Sequence, residues 1–198
     1  MGERKGEDVL ILFSGGADSA LMVELALKMG KSVYCLMIDY DQLHKGELDY
    51  AKKYLEKKGI KYQIVTVRGL ALESGLTGHG EQGTFGSPDK ISVWHVPGRN
   101  TMFLGLALSI AENLGIPEIF HGADFSDRLN LFPDCFQEYA VRVNKLLEIA
   151  GPKPVKYIQP LAGMTKEMIL SLLESFGIKK EDLFSGYGDI KPQSASTS

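Results

Sequence analysis

Strand-length apolar runs alternate with amphipathic helical segments along most of this 198-residue chain. The first run, Asp8–Phe13, is almost continuously apolar, as expected for a strand that is covered on both faces. A helical repeat follows, and Gly30 stands where a glycine commonly ends a helix. The alternation predicts an α/β fold, a doubly wound, mostly parallel sheet with helices on both faces and right-handed crossovers.

The pattern predicts one domain over residues 1–184, followed by a turn-rich tail at 185–198 that we expect to be frayed. Residues 70–92 carry five glycines and no clear periodicity, which is typical of a functional or mobile loop; a lid and a docking surface are both open alternatives. We predict strands at 8–13, 32–38, 60–67, 118–121 and 155–158, and helices at 18–29, 47–58, 101–114, 134–150 and 166–176.

Composition excludes several functional classes. Lys and Arg total 22 against 25 Asp and Glu, a net charge of −3, which argues against binding to nucleic acid. No apolar run reaches the roughly 20 residues that span a bilayer, and the polar N-terminus does not resemble a secretory signal. The two cysteines, Cys35 and Cys135, cannot form a four-ligand zinc site and predict free thiols in a reducing compartment. We therefore expect a cytoplasmic protein that does not associate with membranes.

The turn after the first strand carries the strongest functional signal. Gly15 and Gly16 let backbone N–H groups point inward, the following helix presents its positive end, and Ser14 and Ser19 add hydroxyl donors. Together these groups predict a cradle for phosphate oxygens. The turn lacks the Gly-Lys-Ser/Thr of a Walker A loop and the third glycine of the dinucleotide fingerprint. The plain alternative is a turn in which Asp18 is the N-cap of the helix.

This turn, Ser-Gly-Gly-Ala-Asp-Ser, resembles the Ser-Gly-Gly-x-Asp-Ser signature of the PP-loop ATP pyrophosphatases. The resemblance implies that ATP is cleaved between its α and β phosphates and that Ser14, Gly15, Gly16, Asp18 and Ser19 hold the departing pyrophosphate. An aspartate faces phosphate favourably when a cation lies between them, so Mg²⁺ bound to Asp18 through the pyrophosphate is implied.

Three later segments resemble those of the 7-cyano-7-deazaguanine (preQ0) synthases of queuosine biosynthesis: His-Val-Pro-Gly-Arg-Asn-Thr-Met-Phe-Leu at 95–104, Phe-Pro-Asp-Cys at 132–135, and Pro-Leu followed by Thr-Lys-Glu within 160–167. The resemblance implies an ATP-dependent, AMP-forming carbon–nitrogen ligase. The enzyme would adenylate the carboxylate of 7-carboxy-7-deazaguanine, and ammonia would displace AMP to give the 7-amido compound. A second ATP would then lead to the nitrile. A homodimer is implied as well.

The resemblance assigns catalytic roles to Asp18, Lys166 and Arg99. Lys166 begins a predicted helix, where its ammonium could reach phosphate; the alternative is a solvated lysine. Arg99, with Asn100, could bind a carboxylate or phosphate of the substrate; the alternative is a helix-capping pair. Asp39 ends the second strand, a natural position to meet adenosine.

Acidic residues are the candidates for reading the deazaguanine ring. Asp134 could accept two N–H bonds from the ring edge, or it could be another N-cap. The family has a further acidic residue shortly before this segment, and Asp124 and Asp127 both compete for that place. None of the four histidines is expected to bind metal, and His121 is expected to be a satisfied core residue.

The chain departs from the family pattern in three places. No cysteine follows Cys135, so the family's four-cysteine zinc knuckle is absent from this sequence and no zinc is expected. Phe136 replaces an arginine, and the stretch Tyr-Asp-Gln-Leu-His at 40–44 lacks the family's glycine and arginine. Two alternatives follow: transfer of the acyl group to another amine, such as the N-terminus of an acceptor protein, as in antiphage-defence relatives, or a non-catalytic nucleotide-binding subunit. The intact Asp18 argues against the second alternative.

Overall fold

The computed structural model describes residues 7–40, 46–69, 98–129 and 132–178. The loop at 70–92, the tail at 185–198, the start of the 95–104 segment and the stretch at 41–44 lie outside the described residues. The strands of the described part are β1 Val9–Leu12, β2 Val33–Asp39, β3 Lys61–Thr66, β4 Glu118–Phe120 and β5 Lys156–Ile158. Its helices are α1 Ala17–Lys28, α2 Gly46–Lys57, α3 Arg99–Leu114, α4 Phe125–Leu129, α5 Gln137–Ala150 and α6 Lys166–Ser175, with a 3₁₀ turn at Pro133–Cys135.

The five strands form one sheet in the order β3-β2-β1-β4-β5, and every neighbouring pair is parallel. The chain runs outward from β1 to β3 on one side and then returns to place β4 and β5 on the other side. This order confirms the predicted parallel α/β sheet. Because the strand order reverses between β1 and β4, a crevice at the carboxyl ends of these two strands is where ligands bind in such folds.

The central strand is buried on both faces, as its apolar run predicts. Val9, Leu10 and Ile11 have no exposed surface. Val9 and Ile11 pack into one apolar layer with residues of α1, α2 and α6, whereas Leu10 packs into a second layer with α3 and α5. Fully burying a large aliphatic side chain stabilises the fold by about 1.5–3 kcal/mol. Burial of β1 therefore fixes the position of the turn that follows its carboxyl end.

Two helices begin two or more residues away from their predicted starts, and one helix was not predicted. Helix α3 begins at Arg99, two residues early, after Gly98 in a left-handed conformation. Helix α5 begins at Gln137 instead of residue 134 because the 3₁₀ turn and an extended Phe136 interrupt the apolar repeat. Helix α4 was not predicted, since five residues are too few for a period to be recognised.

Within the described ranges, no helix is long and apolar enough to cross a bilayer. The two cysteines are free thiols, as predicted, and both are buried. Burial raises the pKa of both thiols well above the ordinary value. Both cysteines therefore contribute to the structure as small apolar side chains.

Candidate active site

The turn between β1 and α1 is braced by the hydroxyl groups of two serines. Ser19 Oγ donates to the carbonyl of Gly16 at 2.9 Å and accepts from the backbone N–H of Gly15 at 3.1 Å. Ser14 Oγ lies 3.3 Å from Ser19 Oγ. Gly15 has a φ of 88°, which a residue with a Cβ adopts only with strain. The turn is therefore held in a defined shape by the residues that the sequence analysis selected.

Helix α1 opens on this turn without a side-chain cap. Its N-cap is Gly16, so the alternative in which Asp18 caps the helix is wrong. The first helical hydrogen bond runs from the N–H of Ala20 to the carbonyl of Gly16, at 3.0 Å. The N–H groups before Ala20 have no carbonyl partner within the helix, and together with the helix dipole they favour an anion at the turn.

Three charged side chains meet beside the turn, and we call Asp18, Asp124 and Lys166 the Lys166 cluster. Lys166 Nζ, on the first residue of α6, lies 2.7 Å from both carboxylate oxygens of Asp18 and 2.9 Å from Asp124 Oδ2. Asp124 has no exposed side-chain surface, whereas Lys166 is 46% exposed. The ammonium therefore joins α1, α6 and the segment after β4 instead of pointing freely into solvent.

Burial and pairing set the charges of the Lys166 cluster. Desolvation raises the pKa of Asp18, although the nearby ammonium opposes the shift. Burial also tends to raise the pKa of Asp124, but hydrogen bonds from Lys166 and Ser126 outweigh it and the net pKa is lowered. Desolvation would lower the pKa of Lys166, yet the two carboxylates raise it overall. The lysine therefore carries its proton at neutral pH.

Asp124 and Asp127 cap the short helix α4 reciprocally. Asp124 Oδ1 accepts from the N–H of Ser126 at 2.7 Å and of Asp127 at 3.1 Å, and Asp127 Oδ2 accepts from the N–H of Asp124 at 3.1 Å. The arrangement is a capping box built from two aspartates. Burial raises the pKa of Asp127 to about 6. Both carboxylates thus have structural partners, and contact of either with the deazaguanine ring stays a prediction.

Gly122 is a site residue that the sequence analysis missed. A Cβ built at Gly122 would lie 3.1 Å from Met22 Cε and 3.3 Å from Asp18 Cβ. The segment after β4 therefore approaches α1 more closely than most side chains would allow, and this brings Asp124 to Lys166. A glycine directly after a strand, at the edge where the phosphate turn lies, is the signal that could have found it.

Arg99 lies at the start of α3 and stacks on aromatic rings. Its guanidinium carbon is 5.7 Å from the centre of the Tyr40 ring and 6.0 Å from that of Phe103. Its Nη1 donates to Tyr40 Oη at 3.4 Å, and its Nε is buried without a hydrogen-bond partner in the described part of the chain. The cap of α3 is Gly98 with no side-chain hydrogen bond, so neither Arg99 nor Asn100 acts as a side-chain cap. Their contact with substrate stays a prediction.

Two further predicted site residues lie at the same edge of the sheet. Asp39 ends β2 and accepts two hydrogen bonds from the Arg68 guanidinium, at 3.2 and 3.1 Å. Asp134 lies in the 3₁₀ turn and is not the cap of α5, which is Phe136. The predicted contacts of Asp39 with adenosine and of Asp134 with the ring stay predictions.

A second polar group lies at the ends of β4 and β5, and we call His121, Tyr157 and Gln159 the His121 cluster. His121 Nδ1 is 2.7 Å from Tyr157 Oη, and Gln159 Nε2 donates to the same oxygen at 3.2 Å. Desolvation lowers the pKa of His121 to about 4. The expectation of a satisfied core histidine thus holds for Nδ1 of His121, which has a hydrogen-bond partner. The cluster as a whole was not predicted from the sequence.

One carboxylate beside the turn is of the kind that binds Mg²⁺ together with phosphates. Over the described ranges, no group of three or more His, Cys, Asp or Glu side chains is arranged to hold a metal ion. Mg²⁺ is commonly held by one or two carboxylates and by the phosphate oxygens of a nucleotide. Asp18 is such a carboxylate and is partly exposed, although Lys166 Nζ lies 2.7 Å from both of its oxygens, and its contact with Mg²⁺ stays a prediction.

Comparison with solved structures defines the class of fold. The U34-tRNA thiolase NcsA of Methanococcus maripaludis superposes with a TM-score of 0.55 at 20% identity, over 89% of this chain and 59% of its own. NMN synthetase of Francisella tularensis superposes with a TM-score of 0.56 at 16% identity, over 90% of this chain and 65% of its own. The fold is that of the PP-loop, adenine nucleotide alpha-hydrolase-like proteins.

Sequence comparison then gives the family within this class. The model described as queuosine biosynthesis protein QueC matches residues 8–196, and the chain belongs to the QueC family. A 7-cyano-7-deazaguanine synthase of Alteromonas mediterranea is 35% identical over 182 residues, which are 87% of this chain and 80% of the relative. One from Rickettsia canadensis is 32% identical, over 89% and 82% of the two chains. The predicted family and the prediction of an enzyme are confirmed.

Proposed function

We propose that this protein is an ATP-dependent, AMP-forming ligase that adenylates the carboxylate of 7-carboxy-7-deazaguanine and passes the acyl group to ammonia. One observation carries the proposal: the phosphate turn and the Lys166 cluster adjoin at the switch point of the sheet, in a chain that matches the QueC model over residues 8–196. A free carboxylate is a poor electrophile, and adenylation supplies the leaving group that an amide-forming step needs.

In the first step, a carboxylate oxygen of the substrate attacks the α-phosphorus of ATP, and the bond to the bridging oxygen of the β-phosphate breaks. The acyl-adenylate and pyrophosphate result. Ser14, Gly15, Gly16 and Ser19 are proposed to hold the pyrophosphate with hydroxyl and backbone N–H donors. Because the Ser19 hydroxyl now donates to the Gly16 carbonyl and the Gly15 N–H to Ser19 Oγ, these two donors would exchange a partner within the turn for a phosphate oxygen. Asp18, together with phosphate oxygens, would hold Mg²⁺, which would neutralise the departing negative charge.

Lys166 supplies the second positive charge near the phosphates. Asp124 holds the ammonium from its buried side at 2.9 Å, which orients it toward Asp18 and the turn. A prepositioned cation costs no reorganisation when charge develops on the phosphate oxygens. Arg99, whose Nε has no hydrogen-bond partner within the described ranges, is proposed to orient the substrate carboxylate, with Asn100 beside it.

In the second step, ammonia attacks the acyl carbon and AMP leaves, which gives the 7-amido compound. The amide oxygen then attacks the α-phosphorus of a second ATP and releases pyrophosphate. Departure of AMP, which carries this oxygen away, together with loss of the two amide protons, gives the nitrile. Asp39 is proposed to contact adenosine, and Asp124, Asp127 or Asp134 to contact the ring. These roles rest on the position of each residue at the carboxyl edge of the sheet.

Incubation with ATP, Mg²⁺ and 7-carboxy-7-deazaguanine tests the proposal. We expect pyrophosphate release that depends on the acid, and, with ammonium present, masses of the amide and then the nitrile. Absence of pyrophosphate release would leave a non-catalytic nucleotide-binding role. A mass gain on another polypeptide, with no amide or nitrile formed, would show that the acyl group is transferred to a protein amine and not to ammonia. Benzoic acid, a carboxylic acid without the deazaguanine ring, is the matched control substrate.

A further inference from the structure

The orientation of the Gln159 side chain is determined by its two hydrogen bonds. Its Nε2 donates to the backbone carbonyl of Asp134 and to Tyr157 Oη, each at 3.2 Å. A carbonyl can only accept, so the nitrogen must face Asp134 and both amide hydrogens are used. The amide oxygen Oε1 then points elsewhere, and it is buried with no hydrogen-bond partner among the residues that the structure describes.

The proton on His121 can be placed by the same reasoning. Burial raises the pKa of Tyr157 and lowers that of His121 to about 4, so at pH 7 the phenol is protonated and the imidazole is neutral. A phenol oxygen can accept two hydrogen bonds, so the 2.7 Å contact between Tyr157 Oη and His121 Nδ1 by itself fits either tautomer. Among the described residues, His121 Nδ1 is the acceptor within reach of the Tyr157 hydroxyl hydrogen, and we therefore assign this hydrogen bond to the Tyr157 hydroxyl as donor. A neutral imidazole that accepts at Nδ1 carries its hydrogen on Nε2.

The His121 cluster thus combines a donor with an acceptor and carries no charge. The donor is His121 Nε2–H; among the described residues, the ring makes one side-chain hydrogen bond, through Nδ1. The acceptor is Gln159 Oε1, which lacks a hydrogen-bond partner among the described residues. Two charges lie within electrostatic reach of His121: the Asp134 carboxylate raises its pKa, and the Arg99 guanidinium lowers it by less. A neutral pair with Arg99 nearby suits a ligand with an uncharged polar edge and a separate carboxylate.

We infer that the His121 cluster recognises the cyclic-amide edge of a guanine-type ring, with Gln159 Oε1 accepting from the ring N–H and His121 Nε2 donating to the ring carbonyl. This inference rests on the proposed function, because the ligand is the acid that the ligase would adenylate. An adenine-type ring presents the opposite order, an exocyclic amino donor beside a ring-nitrogen acceptor. The same cluster would therefore discriminate between the two rings.

Calorimetric titration with 7-carboxy-7-deazaguanine and with its 7-deazaadenine counterpart tests the inference. We expect wild type to bind the guanine-type acid at least tenfold more tightly. Gln159→Met keeps the length of the side chain and removes the acceptor, and it should weaken the guanine-type acid about tenfold while changing the adenine-type acid and MgATP less than about threefold. Gln63→Met, at an exposed glutamine of β3, is the matched control and should change none of the three.

A second variant, Tyr157→Phe, tests the same inference if Gln159→Met does not fold. Tyr157→Phe removes the hydroxyl that sets the His121 tautomer, and it should lower the preference for the guanine-type acid severalfold while circular dichroism stays that of wild type. Equal losses for both acids in the two variants would show a merely structural cluster and would overturn the inference.

The remaining outcomes separate the inference from the proposed function. Unchanged preference in both variants, with pyrophosphate release intact in wild type, would overturn the inference and leave the ligase standing. Wild type that binds neither acid and releases no pyrophosphate would overturn both.

Discussion

The Lys166 cluster and the His121 cluster lie at the same edge of one sheet, yet their electrostatics are opposite. In the first, two carboxylates share one ammonium at 2.7 to 2.9 Å. In the second, desolvation keeps an imidazole and a phenol neutral and a hydrogen-bond chain orders their protons. The difference matches the two tasks that we propose for this edge, in which charged groups bind phosphate and metal and neutral groups bind an uncharged ring.

One short segment connects the two clusters. His121 directly follows β4, and Asp124 comes three residues later, after the close approach of Gly122 to Asp18. On the other side, Gln159 follows β5 and Lys166 begins the next helix. The connection after β4 and the connection after β5 therefore each supply one residue to each cluster, so the proposed phosphate-binding and ring-binding groups come from the same two connections.

We expect the strongest change in activity from a substitution in the Lys166 cluster that leaves the stability of the fold unchanged. Asp18→Asn keeps the size of the side chain but removes the carboxylate that would hold Mg²⁺, so pyrophosphate release should fall about a thousandfold with an unchanged melting temperature. A coupled pyrophosphate assay and thermal unfolding measure the two quantities. Asp49→Asn, at an exposed residue of α2, is the control and should match wild type. Retained turnover in Asp18→Asn would show that a different turn binds the phosphates.

A second substitution examines both roles of the ammonium. Lys166→Met should reduce pyrophosphate release about a hundredfold. It should also lower the free energy of unfolding by about 1–2 kcal/mol, because the buried carboxylate of Asp124 loses its cation. Lys145→Met, at an exposed position of α5, should change neither quantity. Loss of stability without loss of rate would mean that Lys166 is purely structural.

A third substitution acts on the support of the neutral cluster. Asn144 on α5 donates to the carbonyl of Tyr157 at 2.8 Å and accepts from its N–H at 2.9 Å. Asn144→Leu leaves both backbone groups of this strand residue without those partners and should cost about 2 kcal/mol in urea unfolding. Arg142→Leu, on the exposed side of the same helix, should cost under about 0.5 kcal/mol. Equal costs would show that the edge strand does not depend on this side chain.

The smallest effect is a pH dependence beside the charged cluster. Burial raises the pKa of Asp127 to about 6 from the ordinary 3.8, so the folded protein holds this proton more tightly than the unfolded chain does. Stability contributed by the protonated form is therefore lost as the pH rises from about 3.8 to 6. Asp127→Asn cannot ionise, and at pH 8 it should be more stable than wild type by about 1 kcal/mol, with the difference disappearing below pH 4. Urea unfolding of the variant and of wild type between about pH 4 and pH 8 measures the difference in the free energy of unfolding. A difference that does not change with pH would contradict the prediction.

Local signals in the sequence predicted most of the fold. The five apolar runs became the five parallel strands of the described part, because a strand buried on both faces needs nearly continuous apolar residues. The start of α5 and the helix α4 were missed, since the 3₁₀ turn, the extended Phe136 and a five-residue helix leave no periodic trace. Helix boundaries of this kind depend on backbone conformations that neighbouring elements impose.

The candidate site also has a part that local sequence signals predict and a part that they miss. The conformation of the turn between β1 and α1 could be predicted because it depends on consecutive positions: glycines that free the backbone, serines that brace it, and a helix that follows at once. Phosphate binding by this turn stays a prediction. The sharing of Lys166 by Asp18 and Asp124, and the chain from Gln159 through Tyr157 to His121, join residues far apart in sequence. The positions of these residues along the chain show no recognisable motif. The distances between their side chains are set by how β4 and β5 pack against β1 and its helix. Tertiary structure alone decides which carboxylate receives the ammonium and which ring nitrogen keeps its proton.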